Sequence, residues 1–227
     1  MATKDFKTEL FEKEPGEFDL SFKLIVIGDT GVGKSCLTVK ATKGKFDSLY
    51  SPTIGFDFMT FFTKIEDTVI KLQIWDTCGQ EVYRSLINSF YHNSSIAILV
   101  YAIDNEESFK NLNLWLNEIK TNGSPDMNVF LIGNKADLED NREIPKEEAE
   151  KFAKNNNMKL FLETSAKTGF NAQNVFIEAS KLLYEQHLQF TKRFSNPEAL
   201  GNTESDSNKI DLENVEEENN RKRRKCC

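Results

Sequence analysis

The chain has 227 residues, a formal net charge of -7 and 39% hydrophobic residues, among them 18 phenylalanines. That length suits one α/β domain with tails, with enough apolar residues for a real core, and no nucleic-acid partner is expected of so acidic a chain. No run approaches the ~20 apolar residues of a membrane-spanning helix, the first twenty residues lack the apolar stretch of a secretory signal, and Ala2 stands where N-myristoylation requires glycine.

Residues 1–20 alternate Lys with Asp and Glu around the turn signal Glu14-Pro15-Gly16-Glu17 and read as a flexible arm, with a short helix at most. A folded domain is expected over 21–190, with order from Phe22. There, Phe22–Gly28 (FKLIVIG) is a short apolar run ending in glycine, the mark of a strand buried on both faces. Residues 56–65 and 69–76 read as a hairpin around Glu66-Asp67-Thr68, and 95–103, 129–134 and 159–162 as further strands. Phe109, Leu112, Leu116 and Ile119 fall at helical spacing within 105–120, with Asp104 or Asn105 as N-cap. Pro145 opens a second helix, and Val175, Phe176, Ala179, Leu182 and Leu183 stripe a third over about 171–188. Strands alternating with helices predict an α/β fold: a mostly parallel, six-stranded sheet with helices on both faces. Ligands on such sheets bind beyond the carboxyl ends of the strands, which singles out residues just after 27, 75, 103 and 133. From about 191 the sequence is polar, acidic and aperiodic and cannot bury enough apolar surface to offset its ordering entropy. Residues 191–225 therefore read as a disordered linker closing on the basic run Arg221–Lys225, before Cys226 and Cys227. These two, with Cys36 and Cys78, fit neither a metal-ligand spacing nor a disulfide framework, which favours a reducing cytosolic compartment.

Gly28–Ser35 (GDTGVGKS) fits G-x-x-x-x-G-K-[ST] with a strand before it and a helix after it, the context a P-loop NTPase requires. Backbone N–H groups from Gly31 to Ser35 converge at a helix N-terminus, where the dipole favours an anion. In such a loop Lys34 reaches the β- and γ-phosphates and the Ser35 hydroxyl ligates Mg2+. Asn134–Asp137 (NKAD) then follows a strand at the same sheet edge. The Asp137 carboxylate can accept two hydrogen bonds from a base with adjacent N–H donors, as guanine has and adenine lacks. Asn134 can brace the loop, and the Lys135 stem can lie over the base. Glu163–Lys167 (ETSAK) is placed to offer the Ala166 N–H to a 6-oxo group. Alone, Asp137 would read as a solvated loop carboxylate; in this order and spacing it reads as the base selector.

With these motifs in place, residues 22–188 resemble the Ras superfamily of small GTPases, and within it the Rab family, through GDTGVGKS, SPTIGFDF, WDTCGQE, GNKAD and ETSAK in family order. The Rab likeness rests on IGFDF, on KLQIWDT and on the two-cysteine end. The resemblance implies a GTP/GDP switch in vesicle trafficking that hydrolyses GTP slowly with Mg2+. It implies that Thr30, Gly31, Val32, Gly33, Lys34, Ser35 and Cys36 line the phosphates, that Phe46 stacks on the base edge, and that Tyr50 closes over the phosphates. Ser165, Ala166 and Lys167 would complete the base site with Asn134, Lys135 and Asp137. Thr53 would bind Mg2+ through its hydroxyl and the γ-phosphate through its N–H; Ser35 and Asp76 would complete the metal site, Asp76 through a water. The Gly79 N–H would contact the γ-phosphate and Gln80 would orient the attacking water, so that Lys34, Thr53, Gly79 and Gln80 carry catalysis. Phe58, Trp75 and Phe90 match the aromatic trio that Rab proteins present to effectors, with ordinary core packing as the alternative. Implied partners are an exchange factor, an activating protein, effectors, and the prenylation and GDP-dissociation-inhibitor machinery, the protein itself being a monomer.

Phosphoryl transfer to water passes through a loose transition state, so positioning and charge stabilisation carry it. No arginine in cis is evident, Arg84 reading as a surface or partner residue, and neither His92 nor His187 falls in a motif. A partner's arginine, worth roughly 10³–10⁵ in rate, is therefore expected. The chain departs from the family pattern at Cys78 (usually alanine), Thr30 (usually serine) and Val82-Tyr83 (usually Arg-Phe). Two rivals remain: a guanine-binding module that does not hydrolyse, and a metabolic P-loop phosphotransferase, against which the guanine motifs and the lack of an Arg-rich lid speak. Cys226 and Cys227 match the acceptor of two geranylgeranyl groups. Two chains, or one chain with a basic patch, anchor stably, and each Lys or Arg near an anionic leaflet adds about 1 kcal/mol. The expected location is the cytosolic face of intracellular membranes.

Overall fold

The apolar runs of the sequence become the inner strands of one sheet. The structure, a computed structural model, describes residues 6–11, 13–46, 55–79 and 90–194. Its strands are β1 (Thr8–Leu10), β2 (Leu20–Ile27), β3 (Phe56–Ile65), β4 (Thr68–Thr77), β5 (Ser94–Ala102), β6 (Asn128–Asn134) and β7 (Leu160–Glu163). They pair in the order β1-β3-β4-β2-β5-β6-β7. Pairs β2–β4, β2–β5, β5–β6 and β6–β7 are parallel, and the hairpin β3–β4 is antiparallel. Parallel strands leave their carboxyl ends on one edge, so the segments after Ile27, Thr77, Ala102, Asn134 and Glu163 come together there.

Period-two alternation along β2 sorts its side chains to two cores. Leu24 and Val26 join Leu37 and Ala41 of α1 (Lys34–Lys43) and Val175, Phe176, Ala179 and Leu183 of α5 (Ala172–Phe194). On the other face, Ile25 and Ile27 join Leu112, Trp115, Leu116 and Ile119 of α3 (Leu112–Asn122) and Ala149 and Ala153 of α4 (Lys146–Asn155). The helix expected over 105–120 is two: α2 (Glu106–Lys110) and α3, joined at Asn111. Of the two N-cap candidates Asn105 takes the role, its Oδ1 accepting the Ser108 N–H at 2.8 Å. Pro145 caps α4.

The expectation of six strands and a flexible arm over 1–20 is corrected by β1. Thr8, Glu9 and Leu10 pair antiparallel with Ile65, Lys64 and Thr63. The Lys7 N–H donates to Glu66 Oε1 at 3.1 Å, its carbonyl accepts the Glu66 N–H at 2.9 Å, and Phe6 stacks edge-on against Tyr184 at 5.3 Å. Three residues carry no readable period; the pairing comes from the open edge of β3, which the sequence of the arm does not contain. By compactness the chain divides after Leu188. The first unit, Met1–Leu188, holds the sheet and the loops at its carboxyl edge; of the second, only the last residues of α5 are described.

Candidate functional site

At the carboxyl edge, the loop Gly28–Gly33 turns directly into α1. Two glycines are obligatory there. A Cβ on Gly28 would lie 2.1 Å from the Val100 carbonyl oxygen, and one on Gly33, at φ 91°, 2.5 Å from Asn134 Nδ2. The backbone therefore runs flush against β5 and β6, which leaves the loop's outer side, with exposed Thr30 and Gly31, for a ligand. Lys34 is buried, its ammonium donating to the carbonyls of Gly28 and Asp29, each at 2.8 Å. Burial lowers its pKa to about 8, against the upward pull of Asp76 and Asp29.

Asp76, at the end of β4, is fully buried, and neither of its carboxylate oxygens accepts a hydrogen bond of full geometry. Burial raises its pKa to about 6, while the Ser35 hydroxyl and Lys34 pull it down. A buried carboxylate so weakly partnered costs several kcal/mol unless a cation joins it. Hard oxygen donors from Asp76 and Ser35 suit Mg2+, which binds through one or two protein oxygens plus substrate phosphates. Among the described residues no three His, Cys, Asp or Glu side chains form a metal cluster of their own. Gly79 lies close on the loop: a Cβ there would meet Thr30 N at 2.4 Å and the Asp29 carbonyl carbon at 2.5 Å. Cys78 points into the second core, 3% exposed, beside Ile25 and Tyr91, so that core takes up its sulfur. Cys36 is half-buried on α1, packed against the first core.

The second half of the site is built by hydrogen bonds among its own residues. Asn134 Nδ2 donates to the Val32 carbonyl at 2.9 Å, and its Oδ1 accepts from Thr164 Oγ1 at 3.1 Å and from the Ala166 N–H at 3.3 Å. One buried amide thus ties the phosphate loop to the 163–167 segment. Lys135, at φ 66°, turns the chain out of β6, and its ammonium pairs with Asp104 Oδ1 at 3.1 Å. Asp137 accepts the Ser165 hydroxyl at 2.5 Å and has the Lys167 ammonium 3.8 Å away. A carboxylate has about four lone-pair sites, so Asp137 retains room for two more donors.

Among the remaining expected residues, Phe46 is exposed two positions past Gly44, which caps α1. Tyr50, Thr53, Gln80, Val82, Tyr83, Arg84, Cys226 and Cys227 lie outside the described residues. Phe58, Trp75 and Phe90 come together on the sheet: Phe58 and Trp75 at 5.2 Å between ring centroids, Trp75 and Phe90 at 4.8 Å. Phe58 is 44% exposed, which sets simple core packing aside for it. Phe56 belongs to the same cluster, 4.6 Å from Phe90. Its place two residues before Phe58, on the same strand face, was the signal sequence reasoning passed over. Passed over too was Asp29, an unspecified position of the loop motif, whose carboxylate meets side chains from the α2–α3 region.

Residues 23–185, well over half of the chain, match the family model described as Ras family.

Proposed function

The chain belongs to the Ras family, small GTPases that bind GTP or GDP with Mg2+ and hydrolyse GTP, and on that premise we propose that it is a Rab-type switch of vesicle trafficking. As a family member it alternates between GTP and GDP states and works with exchange factors, activating proteins and effectors. Membership sets aside both the phosphotransferase and the non-hydrolysing module.

In our reading the Lys34 ammonium, now held by two carbonyls, turns toward the β- and γ-phosphates, and the loop N–H groups from Gly31 to Ser35 face the same anion. The Gly79 N–H, at the edge of the loop, takes a γ-phosphate oxygen. Asp137 selects guanine, with Ser165 and Lys167 fixing its carboxylate and Asn134 fixing the loops around it. The Ala166 N–H gives up Asn134 Oδ1 for the 6-oxo group. Ser35, Asp76 and Thr53 would hold Mg2+, which neutralises charge on the phosphates. Gln80 orients the attacking water.

The observation that supports the Rab reading best is the partly exposed aromatic cluster of Phe58, Trp75 and Phe90, fitted to an effector's apolar side chains. The reading includes geranylgeranyl groups on Cys226 and Cys227, delivery by prenylation and GDP-dissociation-inhibitor machinery, and residence on the cytosolic face of intracellular membranes. Among the described residues no helix is long and apolar enough to cross a membrane. Fractionation of cells expressing the full chain tests this: substituting both cysteines by serine should move the protein from the membrane pellet to the supernatant. Continued pelleting of the double variant refutes the anchor.

A further inference from the structure

We propose that Asp29 is a positioning residue, pinned by Asn111 and Trp115 so that the phosphate-loop backbone, and with it the Lys34 ammonium, is held in register with α3. The inference rests on the GTPase reading and concerns a position that reading leaves without a role.

Asp29 Oδ1 accepts the indole Nε1–H of Trp115 at 2.7 Å, and Oδ2 accepts the side-chain amide of Asn111 at 2.8 Å. Both bonds end on an ionised carboxylate, which makes them short and roughly twice as strong as neutral ones. Neither donor is free to follow the loop if it moves. Trp115 is 1% exposed among Leu112, Leu116 and Ile119. Asn111 is the joint between α2 and α3: its N–H donates to the Glu107 carbonyl at 2.9 Å, and its own carbonyl accepts the Leu114 N–H at 2.9 Å. The two donors are four residues apart, on one helical face.

The same residue holds the other side of the site. The Asp29 carbonyl is one of the two oxygens that fix the Lys34 ammonium. Its carbonyl carbon and the following N–H of Thr30 are the atoms against which Gly79 lies without room for a Cβ. A shift of Asp29 thus displaces the ammonium and the backbone at Gly79 together, and misplacement by about 1 Å is costly to positioned chemistry. A tie that served folding alone would need neither the lysine nor the glycine at its other end.

The test uses the full chain loaded with a fluorescent GDP analogue and reads its dissociation rate, beside single-turnover GTP hydrolysis and the thermal midpoint of the GDP-bound protein. Trp115→Phe keeps a ring in the core but removes the donor together with part of the indole's buried volume, a loss the thermal midpoint reads; Asp29→Ala removes the acceptor. Each should speed GDP dissociation about tenfold, with the double variant no faster than Asp29→Ala, because both changes break one link. Asp29→Asn, whose carbonyl oxygen can still accept the indole N–H, should recover most of the slow release. The proposal is overturned if both single variants release GDP within about twofold of wild type, or if their effects multiply in the double variant. Should Trp115→Phe not fold, Asn111→Ser puts the same question through the other donor. A wild-type chain that bound no GDP would instead bring down the GTPase reading, so the two failures are separable.

Discussion

The two halves of the candidate site are built on opposite principles. Around the base loops the polar groups are already partnered: Asn134 is bonded at both ends of its amide, Asp137 holds Ser165, and Arg142 forks onto Glu163 with bonds of 2.7 and 3.0 Å and onto Glu139 with bonds of 2.8 and 2.7 Å. Around the phosphates the charges are buried ahead of their partners. Lys34 has only carbonyls, Asp76 has no full hydrogen bond, and burial moves each toward its neutral form. The first half is a frame that stands without ligand; the second stores unfavourable desolvation that nucleotide and metal relieve. Affinity should therefore be lost by changes in either half, but stability in the absence of nucleotide only by changes in the frame.

The largest effect is expected at Lys34. Replacing it by methionine removes charge-assisted bonds to two phosphates, each worth about 1.5–3 kcal/mol, and should weaken GTP binding roughly 10²–10⁴-fold in a fluorescent-nucleotide competition. A loss below tenfold would mean the ammonium stays with the Gly28 and Asp29 carbonyls. Next comes Asp137→Asn, which turns one acceptor into a donor facing guanine. GTP affinity should fall about 10²-fold and that for xanthosine triphosphate should rise. Equal GTP affinity in wild type and variant would move base recognition away from this carboxylate.

Much of this division was readable in the sequence. The loop motif located Lys34 and Ser35, and NKAD and ETSAK located the frame, because backbone-defined sites need fixed residue types at fixed spacing. The sheet followed from buried runs such as Ile96–Ile103, all fully or nearly fully buried. What could not be read depends on meetings across the chain. Asp29 finds Trp115 86 positions away, and β1 finds β3 only because the far end of that strand's edge is open. A three-residue strand has no period, and a motif position marked as any residue carries no instruction. The break at Asn111 was masked by the apolar stripe continuing through it.

The buried charges also set a pH dependence. Folding raises the Asp76 carboxyl from 3.8 to about 6, so its share of stability is full below about 3.8 and lost as pH rises through about 6. Folding lowers Lys34 from 10.5 to about 8, so its share is full above about 10.5 and lost as pH falls through about 8. Near pH 7 both are charged and both oppose folding, by up to about 3 kcal/mol each. Urea unfolding of the nucleotide-free protein at about pH 5, 7 and 9 should show Asp76→Asn gaining on wild type at pH 7 and keeping only about half of that advantage at pH 5. A constant difference across the three would mean that desolvation of this carboxylate is not what the site stores.

The smallest effects probe the frame. Asn134→Ala leaves the Thr164 hydroxyl and the Val32 carbonyl without their partner in a buried place, so the nucleotide-free protein should lose about 2 kcal/mol by the same unfolding measurement. Thr164→Val removes one neutral bond of 3.1 Å and keeps the shape, while Asn134 Oδ1 retains the Ala166 N–H. Its cost should be about 1 kcal/mol, with guanine affinity nearly unchanged because Asp137 and Ser165 are untouched. The pair matters more than either value. If Thr164→Val cost as much as Asn134→Ala, the hydroxyl rather than the amide would be the keystone of the frame, and the tie from the base loops to the phosphate loop at Val32 would be incidental to stability.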